Sequence, residues 1–193
     1  MTTRRQFAVN TLAAFLVAGT LFGQQFWEKK QYPTWTNEEI TMLTTNSPWA
    51  KELKATVGGQ EVKLMITWLT AMPIKQAILK ERMDEGGVLA DSAKEIMEDK
   101  EDYYAIGVTG IPKDLARQLT EAWLKIPGKP DVQPAKGDFQ DRGRTVDLMI
   151  LFSNATPITA ADKEVEVALK LSGTDITKKF PLNEMMFNGK LEL

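Results

Sequence analysis

Two runs of alternating residues meet at Gly58-Gly59, and no other feature of the sequence narrows the fold as much. Leu53, Ala55 and Val57 alternate with Glu52, Lys54 and Thr56; after the glycines, Val62, Leu64, Ile66 and Trp68 alternate with polar neighbours. Alternation places one set of side chains on each face of a strand, and a two-residue Gly-Gly connection suits a β-hairpin turn. Such a hairpin has one apolar face, so the rest of the chain must supply something to cover it.

The flanking segments suggest how. Thr36-Asn37-Glu38-Glu39 has the form of a capping box, with the Thr36 hydroxyl serving the Glu39 amide and the Glu39 carboxylate returning to Thr36. Trp35 and Ile40 then occupy the two positions that form a hydrophobic staple across a helix start. Asn46-Ser47-Pro48 ends that helix, because proline disfavours helical backbone in the residue before it. A second helix is predicted from Pro73 to Asp84 with Ile74, Ala77, Ile78 and Met83 at helical spacing, ended by Gly86-Gly87. A short third helix is predicted over 92–100. A strand follows from Tyr103 to Gly110, and Pro112 opens a further helix with Leu115, Leu119, Ala122, Trp123 and Ile126 as its buried stripe.

Residues 127–143 show no periodicity and read as a long loop. The remaining strands are predicted at 145–152, 164–171 and 175–180, followed by a helical turn at 182–186. The expectation is an α+β single domain over 24–193, with a mixed, mostly antiparallel sheet and three or four helices packed on it. At 193 residues with 43% hydrophobic content, one core of ordinary size is affordable.

Residues 1–23 read differently. Arg4-Arg5 precede an apolar run from Phe7 to Gly23 that contains no acidic residue, which is an export-signal pattern. Arg4-Arg5-Gln6-Phe7 fits the core of a twin-arginine signal and equally the positive end of a Sec signal. Seventeen apolar-leaning residues sit at the lower limit for crossing a bilayer, so cleavage is expected over anchoring, and membrane contact is expected only through this segment. Losing two arginines from a chain of net charge −2 leaves −4 on residues 24–193.

Composition removes many chemistries. Cysteine and histidine are absent, which excludes disulfides, thiolate nucleophiles, Ser-His-Asp triads and Cys/His zinc sites. With a negative net charge and no Lys/Arg-rich run, nucleic acid is not expected as a partner, and no cofactor, metal site or catalytic residue is assigned. Asp91, Glu95, Glu98, Asp99, Glu101 and Asp102 could supply the carboxylates of a hydrolase or glycan-processing enzyme, give oxygen ligands for calcium, although their spacing matches no EF-hand loop, or form a solvated helix face. Ser47/Lys51 and Ser92/Lys94 make poor Ser-Lys dyads by their spacing.

Two groups of ligand-binding candidates remain. Thr70-Ala71-Met72-Pro73 and Thr109-Gly110-Ile111-Pro112 both end a predicted strand and lead into a predicted helix. If those strands were parallel neighbours, Thr109, Gly110 and Lys113, with Lys75 nearby, would form an anion site; alone, the pattern is an ordinary strand-to-helix turn. Trp27, Tyr32 and Trp49 are the aromatic residues without an assigned packing role, and could stack on a glycan or a protein partner.

The segments WTNEEITMLTTNSPWAKE, TWLTAMPIKQA and FPLNEMMFNGKLEL resemble an uncharacterised group of small exported bacterial proteins, over most of the chain beyond residue 23. The resemblance implies export and adds no catalytic residue. The sequence thus leads to the expectation of an exported, periplasmic or envelope-associated binding or scaffolding domain, with an envelope protein or glycan as partner.

Overall fold

The hairpin forms as the alternation requires. In the computed structural model, which describes residues 25–86, 97 and 102–193, β1 (Ala50–Val57) pairs antiparallel with β2 (Gln60–Trp68). Gly58 and Gly59 make the turn with positive φ at both positions, a conformation that glycine adopts without penalty. The sheet continues through β3 (Tyr103–Pro112), β6 (Thr145–Ser153) and β5 (Pro134–Asp141) in the order β1-β2-β3-β6-β5. A second sheet has the order β4-β7-β8, built from Leu119–Lys125, Glu164–Leu171 and Thr174–Pro181. A small hairpin of β9 (Met186–Phe187) and β10 (Lys190–Leu191) completes the strands.

The two larger sheets pack face to face. The register places Leu64, Ile66 and Trp68 on one face of the first sheet with Ile106, Val108, Leu148 and Ile150. Trp68 meets Phe180 of β8 edge to face, with ring centroids 6.0 Å apart. Val165, Val167, Leu169, Leu171 and Ile176 join the same buried cluster from the second sheet. On the opposite face of the first sheet, Leu69, just past the end of β2, lies so close over Gly107 that a Cβ there would come within 3.2 Å of it.

Four helices occur among the described residues, all short: α1 (Phe26–Lys29), α2 (Asn37–Thr45), α3 (Met72–Asp84) and α4 (Lys113–Ala116). The capping box of α2 is present in both directions, Thr36 Oγ1 accepting from the Glu39 amide at 3.3 Å and Glu39 Oε2 accepting from the Thr36 amide at 3.0 Å. Trp35 and Ile40 are both buried. Ser47 Oγ accepts from the amides of Trp49 and Ala50, which turns the chain out of α2 and into β1.

The fold is α+β with sheet dominant, and several expectations are corrected. Every strand pairing among the described residues is antiparallel, so the sheet is not mixed. The helix expected from Pro112 through Ile126 is one turn, α4, followed by strand β4. Leu115, Leu119, Ala122 and Ile126 fit a helical stripe, but Ala122, Leu124 and Ile126 also alternate, and pairing with β7 decides for the strand. Trp123 consequently leaves the core face and lies half-buried, with Lys125 Nζ 5.9 Å from its ring centre. The expected loop over 127–143 contains β5. The expected turn at 182–186 is not a helix and leads into β9. Of the helix expected at 92–100 only residue 97, which is helical, is described, and the export segment 1–23 lies outside the described residues.

Two measurements test the local logic. Trp35→Ala should lower stability by about 3–5 kcal/mol, the range for removing a large aromatic from a core. That corresponds to roughly 2–4 °C of melting temperature per kcal/mol for a chain of this size. Thr36→Ala, removing only the cap, should cost about 1 kcal/mol. Equal melts for the wild type and Trp35→Ala would show that the staple carries no stability.

Candidate functional site

A groove of about 1010 Å³ lies between the C-terminal end of α2, helix α3 and the outer face of the first sheet. Its apolar lining comes from Met65, Leu69, Ile74 and Ile78, with Thr67 and Thr109 between them. Met65 and Thr109 are paired neighbours on β2 and β3, so the hairpin register alone brings them side by side. Pro48 and the end of α2 form one wall, and Lys51, Glu52, Lys63, Lys178 and Glu184 form the rim.

The rim charges neutralise one another. Lys51 Nζ is 3.1 Å from Glu184 Oε2, and Lys63 Nζ is 2.6 Å from Glu52 Oε2, with Lys54 3.4 Å from the other Glu52 oxygen. The hydrogen bond from Lys63 is the largest influence on Glu52 and holds its carboxyl below the usual glutamate range, partial desolvation opposing and Lys54 adding. A carboxylate held ionised in this way is unsuited to donate a proton as a general acid. Lys178 behaves differently: its register with Val167 puts it on the inner face of the second sheet, and its ammonium reaches out to donate to the Glu52 carbonyl at 2.7 Å. Lys51 also spans the boundary, its ammonium 5.9 Å from the centre of the Phe180 ring.

Of the candidates from sequence, Thr109 lines this groove and is exposed. Gly110 does not open a helix N-terminus. It sits in β3 with φ +84° where the pairing with β6 shifts register, and a Cβ there would lie 2.8 Å from the Lys63 carbonyl oxygen. The glycine is explained by close backbone approach. Lys113 is ion-paired with Asp141, whose carboxyl that contact and the Gly143 amide hold low. Because β2 and β3 are antiparallel, the Thr70 and Thr109 turns point to opposite ends of the sheet, and the shared anion site is not formed.

The aromatic candidates are placed together but inward. Trp49 is fully buried; its ring packs edge to face on Trp27 at 5.6 Å, and its Nε1 donates to the Glu192 carbonyl at 2.9 Å. Trp27 is 4% exposed, so neither ring is open for stacking on a glycan. Tyr32 is half-buried and borders, with Trp27, Pro33 and Phe187, a separate depression of about 340 Å³. Asp102, from the acidic cluster, is exposed; Asp91, Glu95, Glu98, Asp99 and Glu101 lie outside the described residues. Among the described residues no acidic cluster has the geometry to hold a metal ion, and no helix is long and apolar enough to cross a membrane.

The sequence reading missed the groove. One signal was available: Lys51 and Lys178 fall in phase with the apolar residues of their strands, Leu53 and Ala55 in one case, Ile176 and Phe180 in the other. A charge on a core face must reach a partner at its edge. No protein-family model, no characterised protein and no solved structure matches the chain.

The ionised state of Glu52 gives a pH prediction. Its folded-state pKa is depressed, so its contribution to stability is present above the unfolded glutamate value of about 4.3 and is lost as pH falls through the lower folded value. Glu52→Gln lacks this dependence. Melts of the two proteins should differ by a constant amount between pH 5 and 8 and converge below about pH 4; a gap independent of pH would contradict the ion pair.

Proposed function

We propose that this chain is an exported, non-enzymatic binding domain of the bacterial cell envelope, and that its partner seats in the groove between α2, α3 and the first sheet. One observation carries the reading: the groove has an apolar lining of Met65, Leu69, Ile74 and Ile78 inside a rim whose lysines and glutamates pair with each other. Such a surface offers contact area and hydrogen-bonding groups, while its paired ions give little pull on a strongly charged ligand. An envelope protein contributing an apolar segment suits it better than a glycan, since the buried Trp27 and Trp49 leave the groove without an aromatic platform. The N-terminal pattern of residues 1–23 and the resemblance of three segments to small exported bacterial proteins support the location.

The hydrolase alternative finds no support in the groove, where Glu52 is held as an anion between two lysines. The test uses a photo-crosslinking amino acid at Met65 in intact cells, compared with the same residue at Thr177 on the exposed side of β8. A discrete envelope-protein adduct should form from position 65 and be absent from position 177. Adducts identical from both positions, or none from position 65, would overturn the proposal.

A further inference from the structure

The two edges of the first sheet are treated unequally. At β1 the outer edge is partly closed: the Lys178 ammonium occupies the Glu52 carbonyl, and most of the strand is buried or half-buried. At the other end, all eight residues of β5 are exposed, and no described strand pairs with its far side. Beyond Pro134, which has no N–H, and the irregularity that follows it, Lys136 to Asp141 present an open row of backbone donors and acceptors, a template for another strand.

The side chains of β5 specify which strand. Register with β6 puts Lys136 and Asp138 on the same face, opposite Leu151 and Met149. Among the described residues neither has an ion-pair or hydrogen-bond partner, although Lys113, Asp141, Arg142 and Asp147 around them are all paired. An antiparallel copy of β5 centred on Gly137 aligns Lys136 with Asp138 of the second copy, and Asp138 with its Lys136. Gly137 then faces its own counterpart, with no side chain between the two backbones. Phe139, 52% exposed, falls toward the small Ala135, where β5 departs from regular register. Directly opposed unlike charges stabilise a strand pair and like charges oppose it, and the same patch serves both copies, as a two-fold interface requires.

We infer that β5 is the interface for a second copy of this chain, joined edge to edge about a two-fold axis at Gly137 so that the two first sheets become one continuous ten-stranded sheet.

Cysteine is absent from the chain, so a single introduced thiol reports on one position. A Cβ at Gly137 meets only Leu148 and the Met149 carbonyl, at 3.8 and 4.0 Å, so the full chain carrying Gly137→Cys should fold. Treated with a short bis-maleimide in the cells that express it, this variant should give a covalent dimer. Phe139→Cys should not, because position 139 aligns with 135 and lies about 13 Å from its own counterpart. Added to Gly137→Cys, Lys136→Asp or Asp138→Lys alone should lower the crosslinked fraction about tenfold, since both opposed pairs change sign together. The double exchange Lys136→Asp/Asp138→Lys should restore it. Absence of a dimer from position 137, equal crosslinking at 137 and 139, or indifference to the charge reversals would each overturn the inference.

Discussion

The structure depends on the packing of Trp68 between its neighbours. Its ring is fully buried and meets Tyr104 on its own sheet at 5.8 Å and Phe180 on the opposing sheet at 6.0 Å, both edge to face. Edge-to-face contacts of this kind add directional preference to area burial. Trp68 ends β2, so the Gly58-Gly59 turn, by fixing the pairing of β1 with β2, fixes which face the ring takes. A slip of one residue would turn Leu64, Ile66 and Trp68 outward and Met65 and Thr67 into the core. The lining of the groove is therefore a by-product of the same register that builds the core.

The parts legible in the sequence are those whose signal is local. The hairpin, the Thr36–Glu39 capping box, the stop at Pro48 and helix α3 each need only neighbours in the chain to be read. Where two periods fit one segment, local reasoning had no arbiter: Leu115 to Ile126 satisfies both helix and strand, and the decision comes from β7, some forty-five residues later. Strand β5 left no apolar alternation because it buries neither face and is held through its backbone to β6. Proline, glycine and charge made it look like a loop.

The candidate site was less legible for a related reason. Thr109 was singled out for its place at a supposed strand end, yet it lines the groove as the paired neighbour of Met65, a relation that only strand pairing reveals. Trp27 and Trp49 drew attention as unassigned aromatics, and they turn out to tie the segment before β1 to the chain's last residues through the Glu192 carbonyl. Lys51 and Lys178 were written on core faces, where a charge is informative, but their meaning depends on Glu184 and on a backbone carbonyl at a sheet edge.

That last contact has a consequence for growth. A sheet with two receptive edges can add copies without end, and fibres are the usual result. Here the Lys178 ammonium already occupies an outward carbonyl of β1, and α2 packs against the same strand. The two margins of the first sheet are thereby unequal: β5 is open along its length, whereas β1 is partly closed. Pairing of two copies through β5 would consume the open margin and leave the partly closed β1 at each outer end. A single lysine drawn from the inner face of the opposing sheet thus covers an outward carbonyl of β1 and, with the sheet extended at β5 as inferred above, would favour a finite product.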